Sequence, residues 1–188
     1  MCNMMKSTIN LNKFLYPLDL TYSAISQPLP KVEVMTGDTL GQPYDELLNH
    51  KNDMTETLEN FYQQKLHLHV LEHQENGETL MRQVSLNLPD NTPVEFGAIR
   101  IYLSHFDPLS RDLILKGEKP LGAILQENHI AHRANPKTFF RIWSDAIIEN
   151  ALNLKDSCWL FGRQNVHLDS NDNTLAEIIE ILPPCENA

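Results

Sequence analysis

The stretch Leu80-Met81-Arg82-Gln83-Val84-Ser85-Leu86-Asn87-Leu88 constrains this chain more than any other. With the two-residue period of a strand, Leu80, Arg82, Val84, Leu86 and Leu88 share one face and Met81, Gln83, Ser85 and Asn87 the other. The arginine is on the apolar side. A guanidinium does not shed its proton, and burying it alone costs several kcal/mol or more. Its partner is then a carboxylate of the protein, solvent at the sheet rim, or the carboxylate of a ligand gripped by a two-pronged hydrogen bond. Periodicity leaves the three open.

The flanking sequence turns this strand into a meander. Residues 66–72 alternate as a strand, Asn76-Gly77 is a turn, and residues 89–93 are a second turn before a strand over 94–103. Three consecutive strands of this kind pair antiparallel. On the third, Val94, Phe96, Ala98, Arg100 and Tyr102 share a face, so Arg100 is expected to converge with Arg82. Residues 43–48 read as a short helix. Asp53 and Glu56 form an N-cap signature for a helix running to about residue 64, with Met54 at its entry. Further helices are expected over 106–116, ended by Gly117, over a short piece reaching Leu125, and over 139–154 from the spacing of Phe140, Trp143, Ile147 and Leu152. Strands over 159–168 and 175–182 close the chain across a turn at 169–173. Glu177 and Glu180 fall on opposite faces of the last strand, and periodicity does not say which points inward. Strands adjacent in sequence and helices in blocks make the class α+β, with one antiparallel sheet flanked by helices. Residues 1–40, interrupted by Pro17, Pro28, Pro30 and Gly37, are expected to be an extension draped over a single domain formed by 41–188.

Bulk properties exclude several functions. The formal charge of -10, from 15 Lys plus Arg against 25 Asp plus Glu, opposes binding to nucleic acid or to an anionic membrane. No apolar run approaches the ~20 residues of a membrane span, and the start lacks the pattern of a signal peptide. Cys2, Cys158 and Cys185 are widely spaced without a C-x-x-C pair, which points to a reducing cytoplasm rather than a disulfide framework. His67, His69 and His73 project to one side of a strand, but no carboxylate or cysteine accompanies them at a ligand spacing. They read as an exposed polar face, and no metal is expected. Lipase, P-loop and dinucleotide-binding motifs are absent. A monomer is the expected state.

Four segments together carry a resemblance. Leu47-Leu48 with Asp53-Met54-Thr55, then Leu80-Met81-Arg82, then Pro120-Leu121-Gly122 with Arg133, then Leu160-Phe161-Gly162-Arg163 with Glu180-Ile181-Leu182-Pro183, resemble the chorismate pyruvate-lyase family over residues 44–184. The resemblance implies an antiparallel sheet with helices on one side and a closed internal site. It also implies conversion of chorismate to 4-hydroxybenzoate and pyruvate, without cofactor, at the head of ubiquinone synthesis. By motif, Arg82 would grip the ring carboxylate, Leu121 would offer its backbone amide, Met54 would cover the site and Glu180 would lie at the far oxygen of the ring. The family's second inward arginine is matched by Arg100 only with a two-residue slip, and Gln164 stands where a second arginine is common. The chemistry suits such residues, because elimination from a dianion needs positioning and fixed charge. The same fold also resembles effector-binding domains of transcription regulators, which leaves a non-catalytic module that binds a small aromatic acid as the alternative. This chain shows no basic helix-turn-helix segment to accompany such a domain.

Overall fold

The computed structural model describes residues 14–185. Cys2 and the first thirteen residues of the expected extension lie outside the described residues. Seven strands, β1 (Val32–Met35), β2 (His67–Glu75), β3 (Thr79–Asn87), β4 (Pro93–Tyr102), β5 (His132–Trp143), β6 (Trp159–Asp169) and β7 (Thr174–Leu182), form one antiparallel sheet in the order β1-β5-β6-β7-β4-β3-β2. Six helices accompany them: α1 (Leu18–Ala24), α2 (Tyr44–Leu48), α3 (Met54–Tyr62), α4 (Pro108–Lys116), α5 (Leu121–Glu127) and α6 (Ala146–Leu152). This is the expected α+β class, and β2, β3 and β4 form the expected meander.

Both faces of the sheet are covered. On one, Phe96, Ala98, Ile179 and Ile181 pack with Leu18 and Tyr22 of α1 and with Ile148, Ala151 and Leu152 of α6. On the other, Leu80, Ile99, Ile101 and Ile178 pack with Ile114 of α4 and with Leu121, Ile124 and Leu125 of α5. Met54 and Leu58 of α3 join Leu47 and Leu48 of α2 against Leu86 and Leu182. The implied arrangement with helices on one side is therefore corrected. The reason lies in residues 14–35, where Leu15, Leu18 and Tyr22 supply a second apolar cover and β1 adds an edge strand against β5. That segment is built into the core.

Residues 139–143 are the other correction. They finish β5 instead of opening a helix, because Phe139, Phe140 and Ile142 pair with β1 on one side and β6 on the other, and Trp143 pairs with Trp159 of β6. Aromatic and β-branched side chains suit that position. The helix begins only at α6, where the Asp145 carboxylate accepts from the amides of Ile147 and Ile148 at 3.1 and 3.2 Å. A register shift between Val70 and Glu72 also divides the histidines of β2. His67 and His69 stand opposite Asn87 and Ser85, whereas His73 stands opposite Arg82. Cross-strand partners share a face, so the three do not project to one side.

Candidate functional site

The inward face of β3, β4, β6 and β7 forms the floor of a cavity, and the first turns of α3 and α5 form its cover. Arg82, Val84, Gly97, Ile178, Met54 and Leu121 line it, together with Glu95, His167 and Glu180. It encloses about 60 Å³. A wider groove of about 580 Å³ lies outside the cover and shares Asp53, Thr55, Leu68, Pro120 and Gly122 with the cavity. These shared residues form the partition between them.

Arg82 is buried at 4% exposure. Its only described hydrogen bond is a long one of 3.4 Å to the carbonyl of Ile114, and its Nε has no partner. Among the described ion pairs none involves Arg82. Burial pushes its guanidinium down to about 10, which leaves it charged near neutral pH. The arginine therefore carries a positive charge with no acidic partner at one end of the cavity.

The opposite end holds a network. Arg163, fully buried, donates its Nε to Glu180 and donates to the carbonyls of Leu48 and His50 at 2.9 and 3.0 Å. Glu95 lies nearby, and burial together with the charge of Glu180 raises its carboxyl well above the ordinary glutamate range. Arg163 pairs with Glu180 and not with Glu95, and burial keeps the proton on Glu95. This gives a sign to the pH dependence of stability. Below the ordinary value of 4.5, Glu95 is protonated in the folded and unfolded chain alike. Above it the unfolded chain ionises while the folded one keeps its proton, so stability falls as pH rises until the folded group titrates. Glu95→Gln should abolish this slope, and its advantage over the parent in urea unfolding should widen between pH 5 and 8. Parallel stability curves would show that Glu95 is not kept neutral.

At the partition, the Asp53 carboxylate sits 3.0 and 3.1 Å from Nε2 of His132 and 3.6 Å from Nε2 of His167. Asp53 occupies the N-cap position of α3, as its sequence suggests, but its side chain caps nothing and turns inward. Gly122 makes room for it, since a Cβ there would stand 3.1 Å from the Asp53 carboxylate.

Met54, Arg82, Leu121 and Glu180 thus line one cavity, and Arg100 does not. Arg82 pairs across the ladder with Ile99, whereas Arg100 pairs with Met81, which places the two arginines on opposite faces. Arg100 donates to the hydroxyl of Tyr16 and lies over the ring of Tyr102, whose own hydroxyl donates to Glu177 at 2.5 Å. Glu177 belongs to that outer cluster, so Glu180 is the inward acid. The residues that sequence reasoning did not assign are Glu95, Arg163, Asp53, His132 and His167. One signal was available for two of them: Arg163, Asn165 and His167 alternate along β6, a polar stripe that turns out to be buried.

No protein-family model matches the sequence, and no curated protein matches it. Solved structures do. The ligand-binding domain of a putative GntR-family transcriptional regulator from Bordetella bronchiseptica superposes with a TM-score of 0.50 at 15% identity, over 65% of this chain and 91% of that one. PhnF from Mycobacterium smegmatis gives 0.55 at 14% identity, over 70% of this chain and 63% of its own length. Its separate effector domain gives 0.54 at 13%, over 70% and 88%. The fold is chorismate lyase-like. At these identities the likeness concerns the fold alone. No described helix is long and apolar enough to cross a membrane.

Proposed function

We propose that the cavity binds a small ring carboxylic acid, with its carboxylate on Arg82 and a ring oxygen at Glu180 and Glu95, and that it converts chorismate to 4-hydroxybenzoate and pyruvate. The observation that carries this reading is the buried guanidinium of Arg82, without an acidic partner, facing a pocket that is also lined by Glu95 and Glu180. Amides in the first turn of a helix have no intrahelical acceptor, so the backbone N–H of Leu121 is a second donor for the same carboxylate. Loss of pyruvate makes the ring aromatic, so the protein's task is to hold the substrate and stabilise developing charge. The neutral carboxyl of Glu95 can donate to the ether oxygen as its bond to the ring breaks, and Glu180, held by Arg163, can take the proton from the neighbouring hydroxyl-bearing ring carbon. Enolpyruvate then leaves, the ring becomes aromatic and the proton returns from Glu180 to Glu95.

The free space is smaller than the roughly 150 Å³ that accepts a benzene ring in an engineered cavity. Entry therefore requires Met54 and Leu121 to swing outward toward the shared groove, and product release through the same cover limits turnover.

A specific observation favours a second reading. Arg100 faces away and an acid, Glu95, faces in, so beside Arg82 the only buried arginine near the cavity is already paired with Glu180. A non-catalytic module that holds an aromatic monoacid has no need of a second free cation. Incubating the protein with chorismate while following pyruvate and 4-hydroxybenzoate separates the two. Equal appearance of both products establishes the lyase. No product, with calorimetric binding of 4-hydroxybenzoate, establishes the binding module. In either case Glu180→Gln should weaken binding or turnover by at least tenfold, and Glu177→Gln should leave both within about twofold, because its carboxylate serves only the outer tyrosine cluster. The reverse order would mean that the ligand lies on the other face of the sheet.

A further inference from the structure

From Asp53, His132 and His167 we infer a divalent transition-metal site of the zinc type in the partition between the cavity and the outer groove. The three residues come from α3, β5 and β6, and one potential ligand atom from each lies within 4.8 Å of the others. Zinc bonds of about 2.0–2.1 Å at tetrahedral angles set ligand atoms about 3.3 Å apart. From Oδ1 of Asp53 the separations are 3.1 Å to His132 and 3.6 Å to His167, which bracket that spacing.

Two independent features distinguish this trio from an ordinary ion pair. His132 presents Nδ1 to the carbonyl of Ile130 at 2.8 Å, the contact that fixes the other ring nitrogen as a free ligand atom. His167 is buried at 3% exposure, and neither of its ring nitrogens has a hydrogen-bond partner. A buried imidazole left in that state has lost its hydration without replacement. A cation on Nε2 gives that nitrogen a partner, whereas a proton passed between Asp53 and His132 does not reach it. Asp53 has likewise given up a helix cap to point at the two rings.

Two imidazoles and one carboxylate leave at least one coordination position open, which is the pattern of reactive rather than purely structural sites. Asp53 and His167 both border the cavity, so that open position faces the space occupied by a ligand on Arg82. Such an ion would give the cavity the second positive end that Arg100 does not provide, and would take the second acidic group of a dianion. This last consequence rests on the proposed function; the metal site itself does not.

The test uses tag-free protein stripped with chelator and titrated with Zn²⁺ by calorimetry and with Co²⁺ by visible absorption. We expect one ion per chain, a rise in melting temperature on loading, and the intense cobalt bands of a four- or five-coordinate site. His132→Gln and His167→Gln should each weaken binding by at least 30-fold and abolish those bands, while melting as folded proteins without metal. If His167→Gln does not fold, His132→Gln, at the more exposed ligand, decides alone. No binding overturns the proposal, as does binding that survives the ligand substitutions or that is lost instead in His67→Ala with His69→Ala. One bound ion in a protein that neither binds nor turns over chorismate or 4-hydroxybenzoate would sink the cavity reading and leave the metal site standing.

Discussion

Arg82→Met should bind aromatic acids at least 30-fold more weakly than the parent, and up to several thousand-fold, while unfolding at higher urea concentration. The two effects have one cause. Truncating one member of a buried, hydrogen-bonded charge pair costs about 2–5 kcal/mol of binding, and each 1.4 kcal/mol is a tenfold change. Without ligand, that same guanidinium is desolvated with no anion opposite it. A methionine fills a similar volume and removes the cost, and exchange of buried charges for apolar groups has gained about 1–4 kcal/mol elsewhere. Calorimetry with 4-hydroxybenzoate and urea unfolding of the unliganded protein measure both quantities on one sample. A variant that is less stable would mean that Arg82 has a structural partner after all, and unchanged binding would remove it from the site.

Arg163→Met should do the opposite. It removes the buried partner of Glu180 and strips the carbonyls of Leu48 and His50 of their donor. Breaking one side of a buried pair costs about 3–5 kcal/mol, a large share of the 5–15 kcal/mol that stabilises a typical domain. The variant should lose at least 10 °C in thermal unfolding monitored by circular dichroism, with or without ligand. A shift of only one or two degrees would contradict the placement of Arg163 as the tie between α2 and the sheet.

The two arginines mark what was legible in the sequence. The strand around Arg82 declared its faces because one of them is almost wholly apolar, and the turns at 76–77 and 89–93 fixed its neighbours. The same two-residue period misled at Arg100. Both faces of β4 are covered, so each of its residue sets looks interior, and only the ladder partner Ile99 rather than Arg100 tells which one meets Arg82. On β6 the polar set Arg163, Asn165 and His167 would ordinarily be assigned to solvent, yet all three are buried. Residues 139–143 satisfied a helical spacing by coincidence, and the β1 strand that claims them lies in a segment too short and too interrupted to read. Asp53, His132 and His167 share no spacing at all. Their association exists only once α3 is laid over the junction of β5 and β6.

The place of β7 in the sheet has a consequence for how the protein is made. It is the last of the seven strands to leave the ribosome, yet it sits between β6 and β4 and carries Glu180. Until it arrives, the nascent chain holds two half-sheets, each with a long unpaired edge, and joining them closes contacts between distant parts of the sequence. Slow folding and exposure to aggregation during synthesis are expected of such an order. The same event that seals the two halves completes the cavity, so no partly made chain can hold the proposed acid.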